Sequence, residues 1–324
     1  MANAEIYFAI FLFLLNFLSG VAEWNTKDYL KKENSLIKPY SDGRWDFVGS
    51  TIVSNSYVRL TPDHQSRKGA IFNNLRSYVP NWELHVHFKV HGSGNDLFGD
   101  GFAIWYTKEK LMLGPVFGGK DYFTGLGIFL DTYSNHNGPH NHGHPYISAM
   151  VGNGSAHYDH DRDGTHTEVA GCESHFRKSA HETYIAIRYE KKKLTVSTDI
   201  EGKNAWKECF SVEGVRLPTG YYFGASAATG QLADNHDIIS MKLYDIGLDE
   251  EKAEDYENID PSADMFAPPR DHVEDEKRSF MSSRLTGWRF LLIIIVGIIG
   301  VGVCAMVGFI IYTKRQEDAR KRFY

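Results

Sequence analysis

The chain has 324 residues, with 35 Lys and Arg against 41 Asp and Glu. This length suits one large domain or two ordinary ones. The mildly acidic balance lacks the basic footprint of a nucleic-acid-binding protein, so we expect no nucleic-acid partner. Aromatic residues make up 14% of the chain, which is consistent with a substantial β-rich core.

The first apolar run, residues 6–18, is too short for a comfortable membrane span. Small residues follow it at Gly20 and Ala22, the spacing expected before a cut after Ala22. The pattern predicts a secretory signal peptide over residues 1–22, although no Lys or Arg precedes the apolar run. An uncleaved membrane anchor is the alternative.

The second apolar run, residues 290–312, has no charged residue over 23 positions. A helix of that length reaches about 35 Å, enough to cross a bilayer core of about 30 Å. We therefore predict a transmembrane helix over residues 288–312. Basic residues in the tail, 313–324, place the C-terminus in the cytosol. Together with the signal peptide, this predicts a single-pass type I protein whose body, 23–247, lies in the lumen.

Two cysteines, Cys172 and Cys209, belong to the predicted lumenal body, and the third, Cys304, lies in the second apolar run. An oxidising lumen favours a disulfide between the first two. Two free buried thiols are the alternative. The sequon at Asn153 is the only one in the chain, so Asn153 is the candidate for N-glycosylation.

Short alternating runs separated by Gly, Asn and Asp occupy the chain from about residue 34 to residue 247. The clearest is 82–90, where apolar residues take every second position, as in a half-buried strand. Further strand candidates are 56–60, 101–106, 125–131, 146–151, 182–189, 193–198, 220–227 and 237–244. No long amphipathic helix is evident between them. The pattern predicts an all-β protein, an antiparallel β-sandwich of the jelly-roll type.

Residues 248–287 are rich in acidic residues and proline and poor in apolar residues. Such a segment cannot bury enough apolar surface to fold as a domain. We predict an extended acidic stalk between the sandwich and the membrane. It has no heptad pattern, so a coiled coil is not expected.

Oxygen-bearing residues cluster after one predicted strand and in a second loop. The strand 125–131 ends in Asp131, and Tyr133 and Asn135 follow at alternate positions. The loop 159–163 contains three further carboxylates, including Asp163. Calcium takes six to eight oxygen ligands, so the two loops together could form a calcium site. Ordinary turns are the alternative for both loops and for Asp100, which stands between two glycines.

The order of these segments resembles the leguminous-type lectins of the animal secretory pathway. The matching segments are 45–50, 58–63, 99–106, 114–118, 129–133, 216–226 and 234–240. The resemblance extends over nearly the whole chain, including the stalk, the apolar run and the terminal residues. It is closest to the vesicular integral-membrane lectins, and less close to the larger mannose lectin of the ER–Golgi intermediate compartment.

The resemblance implies a legume-lectin-like fold that binds Ca²⁺ and, with it, high-mannose glycans on cargo glycoproteins. The metal ligands it implies are Asp131, the Tyr133 carbonyl, Asn135 and Asp163. The sugar-binding residues it implies are Ser66, Asp100, Asn135, His160, Gly230, Gln231 and Leu232. It also pairs Cys172 with Cys209. Relatives usually have Asp where this chain has Gln231. This chain therefore has no carboxylate at that position to contribute to the site.

The loop after the metal candidates is rich in histidine, with His136, His140, His142 and His144. Such a cluster could bind zinc or copper. Alternatively, it could sense pH beside an anionic site. A solvated variable loop is the third interpretation.

The chain ends in Lys321, Arg322, Phe323 and Tyr324. By resemblance, terminal aromatic residues bind vesicle-coat components for export, and the basic residues serve retrieval. This predicts residence in the membrane of the ER, the intermediate compartment or the Golgi. A tail without a sorting function is the alternative.

Two other functions also suit such a sandwich. Glycoside hydrolases need two carboxylates about 5–10 Å apart, but the chain has no E-x-D-x-E arrangement, and His181-Glu182 lacks the second His of a zinc protease. We therefore expect that the protein is not an enzyme. A cargo adaptor that has lost sugar binding is the second alternative, against which Asp100, Asn135 and His160 argue.

Overall fold

The computed structural model describes residues 29–95, 97–110, 112–135, 142–247, 256, 259–263 and 306. The predicted signal peptide and cytosolic tail, almost all of the predicted membrane segment, and most of the stalk lie outside these residues. Within the described part of the chain, no helix is long and apolar enough to cross a membrane. The chain divides into two compact units, 1–267 and 268–324, and all the strands belong to the first.

The described residues form an all-β structure with two single-turn 3-10 helices, Lys32–Asn34 and His160–Arg162. The strands are β1 (Tyr29–Leu30), β2 (Trp45–Gly49), β3 (Ile52–Val53), β4 (Val58–Thr61), β5 (Lys68–Asn73), β6 (Trp82–His91), β7 (Gly101–Thr107), β8 (Leu113–Val116), β9 (Thr124–Asp131), β10 (Tyr146–Asn153), β11 (Ala170–Glu173), β12 (Thr183–Glu190), β13 (Lys193–Asp199), β14 (Lys207–Val212), β15 (Tyr222–Ala228) and β16 (Asn235–Asp245). The predicted all-β class is confirmed.

All the strands except β8 pair antiparallel in two sheets, as the predicted sandwich requires. The eight-stranded sheet has the order β14-β13-β12-β6-β16-β4-β3, and β1 pairs with β16. The seven-stranded sheet has the order β11-β10-β9-β7-β15-β5-β2. Neighbours in the sheets are often distant in sequence, which is the pattern of a jelly-roll or Greek-key sandwich.

The main core lies between the two sheets. Along β6, the alternate residues Leu84, Val86 and Phe88 are buried there, as the period-two pattern of the sequence predicts. They pack with the inward residues of the seven-stranded sheet, such as Ile128 and Leu130. A second apolar cluster covers the opposite face of the seven-stranded sheet and includes the rings of Trp105, Phe117, Phe123, Phe129 and Tyr158. The seven-stranded sheet is therefore buried on both faces.

The disulfide between Cys172 and Cys209 is present. Cys172 lies on β11 and Cys209 on β14, which are edge strands of the two different sheets. The bond therefore joins the sheets along one side of the sandwich. This confirms the pairing that the redox compartment and the family resemblance both predict.

All nine predicted strands are present, with shifted ends. The strand predicted at 220–227 begins only at Tyr222, because Gly220 has a φ of +78° and belongs to the preceding turn. Seven strands were not predicted: β1, β2, β3, β5, β8, β11 and β14. Most of them are short or lie at a sheet edge.

A described part of the predicted stalk contacts the sandwich. Arg216 and Ser262 exchange main-chain hydrogen bonds, with N···O distances of 2.7 and 3.1 Å. Pro261 is buried, and Ala263 packs against the main core. The segment 259–263 is therefore fixed to the domain.

Candidate functional site

Strand β9 places Asp131 on the outer face of the seven-stranded sheet. Side chains alternate along a strand, so Leu130 points into the main core and Asp131 points away from it. The Asp131 side chain is nevertheless almost completely buried, with a residue exposure of 4%. Its Oδ1 accepts a hydrogen bond from the Tyr133 main-chain N–H at 2.9 Å, which turns the following loop back over the carboxylate.

A second carboxylate, that of Asp163, comes from the loop after β10. The 3-10 helix His160–Arg162 is capped by Asp159, which accepts the Asp161 N–H, and it ends at Asp163 in the left-handed conformation with a φ of 50°. The next position, 164, requires a glycine, because its φ is +70° and a side chain there would overlap the Tyr158 ring. Asp163 has an exposure of 6%, so it is as deeply buried as Asp131.

The two carboxylates meet at one point together with a histidine. Ligand atoms of Asp131, His144 and Asp163 all lie within 4.8 Å of one another, which is a spacing that could hold a metal ion. His144 Nε2 lies 3.8 Å from Asp131 Oδ2 and 4.0 Å from Asp163 Oδ2. The sequence prediction included both aspartates among the metal ligands, but it assigned His144 only to the histidine-rich loop.

The electrostatics of this group favour a bound cation. Burial raises the pKa of Asp131, although the neighbouring His144 and the Tyr133 N–H oppose the rise. Burial alone would lower the pKa of His144, but the adjacent carboxylates outweigh it and the net pKa is raised. Two carboxylates removed from water are costly unless a cation compensates them. The residues present therefore fit a divalent metal ion.

The other predicted metal ligands lie in the same place. The Tyr133 main-chain N–H donates a hydrogen bond to Asp131 Oδ1, and the Asn135 main-chain N–H donates one to Asp163 Oδ1 at 2.8 Å. The loop 131–135 thus wraps around both carboxylates. Carbonyl, amide and carboxylate oxygens form the ligand set that Ca²⁺ prefers, whereas an imidazole is more typical of zinc.

Asp100 lies next to this group, at the start of β7. Its main-chain carbonyl accepts hydrogen bonds from both the N–H and the hydroxyl of Thr132, each at 3.0 Å. Thr132 directly follows Asp131, so the candidate sugar-binding carboxylate is joined to the candidate metal loop. Burial and the nearby charge of Asp131 raise the pKa of Asp100 to about 6, and Lys68 partly offsets them.

The loop 229–232 forms the opposite wall of the site around Asp100. A Cβ atom placed on Gly230 would lie 3.2 Å from both carboxylate oxygens of Asp100. The Gly230 carbonyl accepts the Ser66 N–H at 3.0 Å, and Gln65 Nε2 donates to the Gln231 carbonyl at 2.6 Å. The loop is therefore fixed through its main chain, and the Gln231 side chain is exposed.

Leu232 and Tyr133 approach each other across Gly99. A Cβ atom on Gly99 would lie 3.0 Å from the Tyr133 Cβ and 3.7 Å from the Leu232 Cβ. The predicted residues Ser66, Asp100 and those of the loop 230–232 are thus brought together beside the metal candidates. The loop 230–232 comes more than a hundred residues after both Ser66 and Asp100 in the sequence.

Comparison with known proteins shows the family of the chain. The model of the legume-like lectin family matches residues 27–253. This chain belongs to the legume-like lectin family. The vesicular integral-membrane protein VIP36 of human is 51% identical over 326 residues, covering 97% of this chain and 91% of that protein. The mouse VIP36-like protein is 44% identical over 331 residues, covering 97% and 93%.

Solved structures of the VIP36 lumenal domain show the same fold. One, with Ca²⁺ and Man3GlcNAc bound, has a TM-score of 0.70 and 55% identity, and covers 72% of this chain and 98% of that chain. A second, in a metal-free form, also has a TM-score of 0.70 and 55% identity, covering 72% and 99%. This lectin chain therefore has the legume-lectin-like sandwich predicted from its sequence.

His160, another predicted sugar-binding residue, is also fixed by contacts outside the loops 64–67 and 229–232. Its Nε2 hydrogen-bonds the Pro115 carbonyl at 2.8 Å, and its ring centroid lies 4.8 Å from that of Tyr158 and 5.4 Å from that of Phe117. The second apolar cluster thus determines its position. The structure anchors His160 one residue after the cap of the 3-10 helix that leads to Asp163.

Several predictions for this lectin are not decided by the described residues. His136 and His140 lie outside them, so zinc binding, pH sensing and a solvated loop remain predictions for the histidine-rich segment. The residues Lys321, Arg322, Phe323 and Tyr324 also lie outside them. Asn153 is exposed at the end of β10, where its Oδ1 accepts from the Ser155 N–H and hydroxyl at 3.0 and 2.7 Å. Its glycosylation remains a prediction.

Proposed function

We propose that this protein is a calcium-dependent lectin that binds high-mannose N-glycans on cargo glycoproteins of the early secretory pathway. The observation that supports this most directly is the buried pair Asp131 and Asp163 beside the carboxylate of Asp100. The VIP36 lumenal domain, which has the same fold, has been solved with Ca²⁺ and mannose oligosaccharides bound. The protein acts by binding and not by catalysis.

In this proposal the calcium ligands are Asp131, the Tyr133 carbonyl, Asn135 and Asp163. A bound Ca²⁺ supplies the positive charge that two buried carboxylates need. Its structural effect is to hold the loop 131–135 against the loop that contains Asp163. His144 lies at the edge of this group, where it can hydrogen-bond a carboxylate or a metal-bound water.

The sugar is held by groups that the ordered loops present. Asp100 and Asn135 accept hydrogen bonds from mannose hydroxyls, and hydrogen bonds to an ionised carboxylate are the stronger kind. Gly230 leaves room for the sugar, because it has no side chain over Asp100. Ser66, His160, Gln231 and Leu232 complete the walls of the site.

We further propose the domain order signal peptide 1–22, lectin domain 23–247, stalk 248–287 with its segment 259–263 packed on the lectin domain, membrane helix 288–312 and cytosolic tail 313–324. The human relative VIP36 is a vesicular integral-membrane protein, which supports a membrane anchor. In this arrangement the terminal Lys321, Arg322, Phe323 and Tyr324 bind vesicle-coat components. The protein then resides in the ER, the intermediate compartment or the Golgi.

The lectin function is tested by glycan-array binding of the full-length chain in detergent. We expect binding to high-mannose glycans in calcium, and loss of that binding with EDTA or with Asp100→Ala. Glu201→Ala, an exposed acidic residue on a remote turn, should leave binding unchanged. Binding that survives both EDTA and Asp100→Ala would show that the mechanism is wrong. Release of free sugar from the array would instead indicate an enzyme.

The sorting function is tested separately in cells. Full-length chains with Phe323→Ala and Tyr324→Ala should accumulate in the ER, because the proposed coat-binding residues are lost. Full-length chains with only Lys321→Ala and Arg322→Ala should be found in later compartments, because the residues proposed for retrieval are lost. An unchanged distribution of both variants would contradict the proposed role of the tail.

A further inference from the structure

A second pocket lies on the outer face of the eight-stranded sheet, far from the calcium group in the fold. Its volume is about 260 Å³, and its walls include His85, His87, Tyr184, Trp206, Ser240 and Lys242. The core-facing neighbours Leu84 and Val86 on β6 show that His85 and His87 point away from the core. Asp131 lies on the outer face of the other sheet, so the two sites are on opposite sides of the sandwich.

The strand register explains why a depression forms here. Tyr184, His87 and Ser240 form one row across β12, β6 and β16. In the next row, the small Ala186 on β12 lies beside the large His85 on β6, and Lys242 on β16 follows. Pairs directly opposite in a sheet point to the same face. A small residue beside a larger one leaves a hollow, and Trp206 from the β13–β14 connection lines one side of it.

The aromatic rings around the hollow are held in place before any ligand binds. The His87 ring is stacked on Tyr184 with centroids 4.3 Å apart, and the His85 centroid lies 5.1 Å from that of Trp206 and 4.9 Å from that of Tyr244. The two histidines are in turn paired with carboxylates, His85 with Glu83 and His87 with Glu182. Such pre-organisation lowers the entropy cost of binding.

Polar groups lie between the rings. Ser240 offers a hydroxyl, Lys242 an exposed ammonium group, and Asn204 an exposed side-chain amide at the pocket edge. Together they provide donors and acceptors in several directions. Aromatic faces combined with such groups suit a ligand that has apolar C–H faces and a rim of hydroxyls. A pyranose ring has both properties.

A peptide fits this pocket less well. Peptides that lie on sheets commonly add to an edge strand, where main-chain N–H and C=O groups are available. The pocket lies over β12, β6 and β16, which are interior strands with neighbours on both sides. Its volume also suits one ring better than an extended segment, since pockets for larger ligands are typically about 300–1,000 Å³.

We propose that this outer-sheet pocket is a second saccharide-binding site, which takes one pyranose ring, such as β-linked N-acetylglucosamine, without calcium. A ring with equatorial hydroxyls has flat C–H faces that stack on aromatic side chains, and β-linked N-acetylglucosamine is of this kind. Its affinity alone would be weak, with a Kd on the order of 1 mM. On a branched glycan or a cargo with several glycans, the second site would add avidity to the first.

The test is saturation-transfer difference NMR on the full-length chain in detergent, with EDTA present to silence the calcium-dependent site. The probe is methyl N-acetyl-β-D-glucosaminide. We expect a clear signal for the wild-type chain, and loss of it in Trp206→Ala and in Ser240→Trp, which fills the hollow. Tyr78→Ala removes an exposed aromatic residue outside the pocket and should keep the signal.

Folding of the two pocket variants is checked by their calcium-dependent binding to high-mannose glycans, which should be unchanged because the sites share no residue. A variant that keeps mannose binding and loses the probe signal supports the proposal. Absence of the signal in the wild-type chain, or equal signals in all variants, overturns it. Signals from a proline-rich peptide that disappear in Trp206→Ala, with none from the sugar, would likewise overturn it in favour of a peptide site.

Discussion

The main-chain N–H of Asn135 donates a hydrogen bond to Oδ1 of Asp163 at 2.8 Å, across 28 residues of sequence. One of these residues follows a strand of the seven-stranded sheet, and the other ends a single-turn helix in a separate loop. Their contact brings the carboxylate of Asp163 to that of Asp131. In the proposed lectin the same contact determines whether a calcium site can form.

Removing the charge of Asp163 should therefore weaken calcium binding. In Asp163→Asn the side-chain oxygen that accepts the Asn135 N–H is kept, but one of two buried carboxylates is lost. We expect calcium affinity to fall about tenfold or more. Isothermal titration calorimetry of the full-length chain measures the change. Asp161→Asn, an exposed carboxylate two residues earlier, is the matched control and should leave calcium affinity unaltered.

A side chain at Gly230 should interfere with sugar binding and leave the metal site intact. The new Cβ of Gly230→Ala would lie 3.2 Å from both oxygens of Asp100, closer than ordinary contact allows. We expect affinity for methyl α-mannoside to fall about tenfold, equivalent to about 1.4 kcal/mol. Calorimetry with the sugar and separately with calcium distinguishes the two effects. Equal sugar affinities would contradict the position assigned to this loop.

The disulfide should contribute measurably to stability, because it joins edge strands of different sheets. Replacing both Cys172 and Cys209 by Ala should lower the free energy of unfolding by about 3 kcal/mol. For a domain of this size that corresponds to a melting temperature about 10 °C lower. Differential scanning calorimetry in saturating calcium tests this. A reductant should lower the melting temperature of the wild-type chain and not that of the double variant.

The buried His236 should make the domain less stable in mild acid. Burial lowers the pKa of His236 to about 3, and its Nδ1 is hydrogen-bonded to the Thr61 hydroxyl at 2.7 Å. The unfolded chain therefore takes up a proton near pH 6.5 and the folded chain does not. The stabilisation is complete above pH 6.5 and decreases as the pH falls towards 3. At pH 5 the loss should be about 2 kcal/mol.

Chemical denaturation at pH 7 and pH 5 tests this when the wild-type chain is compared with His236→Gln. Glutamine can still bond to Thr61 but does not titrate. Other groups contribute equally to both proteins, so the difference between their pH responses isolates His236. If the free energy of unfolding falls equally in the wild-type chain and in His236→Gln between pH 7 and pH 5, His236 is not the source of the acid sensitivity.

The fold was predictable where burial differs between the two faces of a strand. In β6 the inward residues are apolar and most outward ones polar, so the sequence alone shows the strand. Strand β5 has no such pattern, because five of its six residues are buried and both of its faces are covered. Strands β3 and β11 are too short to show any periodicity. Their place in the sheets depends on partners far away in sequence.

The site was predictable in its residue types and less so in its geometry. The chain around Asp163 contains three carboxylates, and the sequence alone does not show that Asp159 caps a helix, Asp161 is exposed and Asp163 is buried. The family resemblance selected Asp163. The histidine-rich loop was predicted to border an anionic site, but the sequence did not single out His144 among its four histidines. Only the folded chain shows its position between two aspartates.

The position of Asp131 directly after Leu130 has one more consequence. Leu130 is 0% exposed in the core between the sheets, and Asp131 faces the opposite way towards the calcium group. A slip of one residue in the pairing of β9 would exchange the two, placing a carboxylate in the core and a leucine in the binding loop. Retention on a mannose column would then separate molecules with the native strand pairing from misfolded ones. Sugar binding would therefore report whether β9 has its native pairing.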